Sequence, residues 1–142
     1  MATQVKFKLR KLTSNVGAVV EGVDASQLLD PALAQDVYQA LLEHGVLFFR
    51  DQVVSDEQLE RFAAHFDEPV PEPFAGGMAP GGKRASTGNL GPTRNSTAVW
   101  HSDTSFVPVP PGLTALRAVE PCEVGGDTCW LSMYAAYDAL SE

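Results

Sequence analysis

Apolar and polar residues alternate at the start of the chain. Val5, Phe7 and Leu9 are interleaved with Lys6, Lys8 and Arg10, the period-two pattern of a strand with one wet face. Residues 16–23, VGAVVEGV, form a β-branched run with Gly17 and Gly22 marking bends at its ends. The period then lengthens. Between Asp30 and Gly45, Leu33, Val37, Ala40 and Leu41 fall on one face of a helix. Asp30 is placed to cap it, Pro31 takes the first helical position and Gly45 stops it. Residues 46–49, VLFF, read as a short strand buried on both sides. A second helix opens at Ser55 with Gln58 as capping-box partner and carries an apolar stripe of Leu59, Phe62, Ala63 and Phe66.

The pattern then breaks. Half of the chain's 12 glycines and 10 prolines fall between Pro69 and Pro92, which excludes a regular helix or a central strand there. A loop this long in a compact chain is a lid or binding loop, or a disordered linker, and residues 68–97 are expected to be such a lid or loop. Strands are expected to resume over residues 97–106, 113–119 and 127–131, separated by a proline-rich turn at 108–112 and by Gly125-Gly126. A last helix begins near Ser132 and carries Tyr134, Ala135, Tyr137, Asp138 and Leu140. The fold class implied is α+β, mainly β.

Composition narrows the possibilities. The chain has 142 residues, 44% of them hydrophobic, enough for one domain or a large part of one. The formal net charge is −8, and the nearest basic grouping is Lys83, Arg84 and the more distant Arg94, so nucleic acid is a poor partner. No apolar run reaches the ~20 residues of a membrane helix, and no secretory leader is visible. Cys122 and Cys129 make neither a disulfide scaffold nor a CxxC, so a reduced, cytoplasmic setting is the default and a thiolate zinc site would be half made. Two histidines have plain explanations: His44 sits in the last turn of the first helix, where the dipole favours it, and His65 at a helix surface or edge.

Chemistry concentrates at Trp100-His101-Ser102-Asp103. On a strand, residues two apart share a face, so His101 and Asp103 would aim an imidazole and a carboxylate at one point. These are two members of the two-His-one-carboxylate set that holds non-haem iron(II). Alone, H-x-D is a weak motif, equally served by a strand pair bonded to nearby loops. It is followed by Pro110-Pro111, by Gly125-Gly126-Asp127-Thr128-Cys129-Trp130 and by Ala135-Ala136-Tyr137-Asp138-Ala139-Leu140. In this order, W-H-x-D, a P-P turn, G-G-D-T-x-W and A-A-Y-x-A-L, residues 100–140 resemble the taurine and aryloxyalkanoate dioxygenase family (TauD/TfdA). Residues 45–52, GVLFFRDQ, agree more loosely.

The resemblance implies an iron(II)- and 2-oxoglutarate-dependent dioxygenase built on a double-stranded β-helix (jelly roll). The present residues 1–142 would form the N-terminal part of one domain. It makes His101 and Asp103 iron ligands and gives Thr128 a 2-oxoglutarate carboxylate to bind. It puts the second histidine and the carboxylate-binding arginine beyond Glu142. Trp130 would stand near the metal pocket or, equally, serve as a core tryptophan. The family reaction uses dioxygen, converts 2-oxoglutarate to succinate and CO2, and hydroxylates a C–H bond of a small-molecule substrate. Glu68, Pro71 and Thr97 stand where taurine-oxidising relatives carry histidine, tyrosine and asparagine. A carboxylate at a sulfonate-contacting position repels the ligand, so a small substrate other than taurine is expected, neutral or cationic near its head group. The competing reading is a truncated or degenerate, non-catalytic jelly-roll fragment or binding module, whose open sheet edges would favour homo-oligomers. A hydrolase using His101 has no G-x-S-x-G elbow to supply its nucleophile.

Overall fold

A computed structural model describes residues 7–67, 99–103 and 105–140. Six elements follow in order: β1 (Lys8–Lys11), β2 (Ala18–Glu21), α1 (Pro31–His44), β3 (Leu47–Phe49), α2 (Asp56–Ala63) and α3 (Met133–Asp138). The chain divides into two compact units. One comprises Met1–Glu68 with Ala115–Glu142, the other Pro69–Thr114.

The first unit is organised by a three-stranded sheet of order β1-β2-β3. β1 pairs antiparallel with β2, Leu9 opposite Val20, and β2 pairs parallel with β3, Val19 opposite Phe48. A parallel neighbour needs a crossover, and α1 supplies it. Its ends are those the sequence specifies: Asp30 accepts from the Leu33 amide at 3.0 Å, Pro31 opens the helix, and Gly45 closes it at φ +68° with its N–H on the Leu41 carbonyl. α2 begins with the full capping box, in which Ser55 N–H donates to Gln58 Oε1 at 2.7 Å and Gln58 N–H donates to Ser55 Oγ at 3.2 Å. The core gathers Phe7, Val20, Val23, Ala25, Leu29, Ala34, Val37, Ala40, Val54 and Phe62, with Leu33, Leu47, Phe49 and Phe66 packed against it. Phe49, Phe62 and Phe66 form an edge-on series of rings at 5.2 and 5.3 Å.

Two expectations are corrected here. The VLFF strand is half-buried rather than buried on both sides, because among the described residues β3 lies at the sheet edge with β2 as its neighbour. No strand forms in the described parts of 97–106, 113–119 and 127–131. A strand exists by virtue of a hydrogen-bonded neighbour; β propensity in these segments finds no ladder among the described residues. Their large apolar side chains are correspondingly exposed, Phe106, Leu116 and Val119 among them. The lid expected at 68–97 lies outside the described residues, as do Glu68 and Thr97.

The segment from 115 onward is held in the first unit by side chains. Arg117 donates to the Val54 carbonyl and pairs with Asp56 at the start of α2. Trp130 meets Phe48 of β3 edge-to-face, ring centroids 5.1 Å apart and planes at 86°, while the Arg50 guanidinium lies 5.2 Å from the centre of the same phenyl ring. Between these anchors Gly125 and Gly126 turn the chain at φ +75° and +73°, conformations a side chain resists. A Cβ on Gly126 would also stand 3.2 Å from Cys122 Sγ.

Candidate functional site

The second unit carries the imidazole and the carboxylate. Residues 99–103 are not a strand, and Asp103 sits in a turn, yet the two side chains converge: His101 Nε2 lies 3.3 Å from Asp103 Oδ1. The juxtaposition expected from strand alternation is therefore made by a loop. His101 Nδ1 is 2.8 Å from the Val99 carbonyl. A carbonyl accepts, so Nδ1 is placed to donate its proton there, with Nε2 turned to the carboxylate.

Nε2 and Oδ1 thus face one another across a gap that a shared proton or a bound cation can fill. A ring fixed through Nδ1–H to a backbone carbonyl is the usual arrangement of a metal-ligating histidine. The donor set, imidazole plus carboxylate, suits a divalent first-row metal and supplies two of the three protein ligands of a facial triad. Among the described residues no group of three or more His, Cys, Asp and Glu side chains gathers at one point. The carboxylate's other oxygen, Oδ2, accepts from Thr114 Oγ1 at 3.1 Å. Sequence reading placed Thr114 in a strand and gave it no part here; the nearest signal is the Pro110-Pro111-Gly112 turn that folds the chain back toward Asp103.

Thr128 belongs to the first unit, two residues past the Gly125-Gly126 turn and exposed. Trp130, two positions on, is 40% exposed, and its described contact is the Phe48 ring, which favours an anchoring role. Of the other histidines, His65 follows α2 in a turn and accepts from the Leu29 amide through Nε2 at 3.1 Å. That nitrogen is occupied by the fold. His44 is buried, with Nε2 3.8 Å from the Glu43 carboxylate. Cys122 and Cys129 are both free and exposed.

A loop-borne His–Asp pair with an anchored ring defines a candidate metal centre, and comparison with known proteins places the chain in a family. The profile of the taurine catabolism dioxygenase TauD, TfdA family matches residues 8–142, and the chain belongs to that family. An alkylsulfatase of Acinetobacter baylyi is 37% identical to it, over 96% of this chain and 43% of that protein. An alpha-ketoglutarate-dependent sulfate ester dioxygenase of Pseudomonas putida is 34% identical, over 97% of this chain and 46% of that protein. The chain therefore spans less than half the length of these curated relatives. Among solved structures, a taurine dioxygenase from Burkholderia xenovorans is 37% identical over 46% of this chain and 24% of its own, with a TM-score of 0.45.

Proposed function

We propose that this chain is the N-terminal part of an iron(II)- and 2-oxoglutarate-dependent dioxygenase that oxidises a small organic substrate. The observation that carries the reading is the 3.3 Å approach of His101 Nε2 to Asp103 Oδ1, with Nδ1 turned to the Val99 carbonyl. In this reading His101 and Asp103 hold Fe(II), and the Thr128 hydroxyl donates to a carboxylate of 2-oxoglutarate. A further histidine and an arginine come from sequence beyond the present residues. The bound group supplies dioxygen activation, with 2-oxoglutarate converted to succinate and CO2. The chain's own residues orient it: Val99 sets the imidazole tautomer, and the Gly125-Gly126 turn leads into the segment that presents Thr128. The whole domain is proposed to be a double-stranded β-helix, cytoplasmic and able to associate into homo-oligomers.

For the substrate, the two sulfate-ester relatives favour an alkyl sulfate over the neutral or cationic head group that Glu68 suggests. Hydroxylation of the carbon bearing the sulfate would release an aldehyde and inorganic sulfate. The test is the full-length protein with Fe(II), 2-oxoglutarate, dioxygen and a linear alkyl sulfate, taurine being run in parallel. Succinate and sulfate are expected in equal amounts from the ester, little from taurine, and background levels for His101→Ala and Asp103→Ala. Turnover unchanged in Asp103→Ala would overturn the site; taurine consumed as readily as the ester would overturn the substrate class.

A further inference from the structure

We propose that Thr114 is a positioning residue for the metal-facing carboxylate of Asp103, an inference that rests on the metal-site reading of His101 and Asp103. The two oxygens of that carboxylate have different partners. Oδ2 accepts from Thr114 Oγ1 at 3.1 Å, while Oδ1 faces His101 Nε2 at 3.3 Å. Rotation about the last torsion of an aspartate is soft and roughly two-fold, so an untethered carboxylate offers either oxygen, or both. The Thr114 hydroxyl removes that freedom. It occupies a lone pair of Oδ2 and leaves Oδ1 to ligate alone, on the side where the imidazole nitrogen waits.

The backbone makes the clip short. Thr114 is eleven residues from Asp103, and between them Pro110 and Pro111 fix φ before Gly112, so the returning segment has few conformations to lose. The side chains of His101 and Asp103 are 47% and 44% exposed, and Thr114 is exposed too. The hydroxyl is therefore not there to satisfy a buried core, and its loss leaves packing nearly untouched. Its effect falls on the carboxylate alone.

Outer partners of metal ligands typically change metal affinity 10- to 100-fold when removed. The test is Mn(II), a redox-quiet stand-in for iron, titrated into the full-length protein and followed by the paramagnetic resonance of free Mn(II). Thr114→Val is expected to raise the dissociation constant about 10- to 100-fold, Thr114→Ser to stay close to the parent, and Asp103→Ala to abolish uptake. Superimposable circular dichroism of Thr114→Val and the parent separates the effect from unfolding. Valine binding Mn(II) like the parent while Asp103→Ala fails to bind would overturn the role of Thr114 and leave the metal site standing. Serine as weak as valine would also overturn it. No uptake by the parent, or uptake by Asp103→Ala equal to the parent's, would overturn the metal reading and this proposal with it.

Discussion

At the scale of single residues, hydrogen-bond chemistry decides what each polar side chain does. His101 and His65 carry the same ring, but their Nε2 atoms differ in employment: one faces a carboxylate, the other receives the Leu29 amide. Sequence spacing singled out His101 through its neighbour Asp103, whereas nothing in the sequence marks a backbone amide 36 positions away as the partner of His65. Asp24 lies two residues before Ser26, whose side chain and backbone N–H both hold its carboxyl below the ordinary aspartate value of 3.8; the amide approaches Oδ1 at 2.9 Å. A carboxyl with a lowered folded pKa stabilises the fold above its unfolded value, and that contribution fades as the pH falls through the folded pKa. NMR titration of Asp24 should give a midpoint below 3.8, and Ser26→Ala should move it upward. An unmoved midpoint would mean that the hydroxyl contributes nothing.

Elements whose ends are written in side-chain chemistry were legible in the sequence. α1 and α2 begin where Asp30 and Ser55 cap them, and Gly45 ends the first, because each device acts within a few residues. The expected strands beyond Thr97 were not legible as they stand, since a strand depends on a remote ladder that composition does not reveal. The same limit explains β3, whose apolar VLFF pattern matches a central strand although it sits at an edge. What replaces the ladder for the G-G-D-T-C-W segment is the ring pair of Trp130 with Phe48. Phe48→Ala should weaken the fold by about 1 kcal/mol from the lost aromatic pair, beyond its area term. In a Trp100→Phe background it should shift Trp130 emission to longer wavelength. Phe48→Tyr should keep the emission near the parent's. An unchanged spectrum in Phe48→Ala would show that the ring does not shelter the indole.

For the molecule as a whole, family membership extends across residues 8–142, while the described core occupies the sheet, α1 and α2. α3 has a serine cap, Ser132 accepting from the Ala135 amide at 3.2 Å, yet buries none of its residues. Met133, Tyr134, Tyr137 and Leu140 are between 70% and 87% exposed, an apolar grouping of the kind soluble surfaces seldom leave wet.

Those two phenols give the fold a built-in gauge. Standing in water, Tyr134 and Tyr137 should iodinate rapidly in the 142-residue chain, while Tyr38, stacked against Phe66 at 6.4 Å, should react more slowly. Labelling followed by peptide mass mapping would then register any surface that comes to rest on this short helix, as a fall in halogen uptake at two known rings. Equal uptake at all three tyrosines would show that the gauge has no contrast.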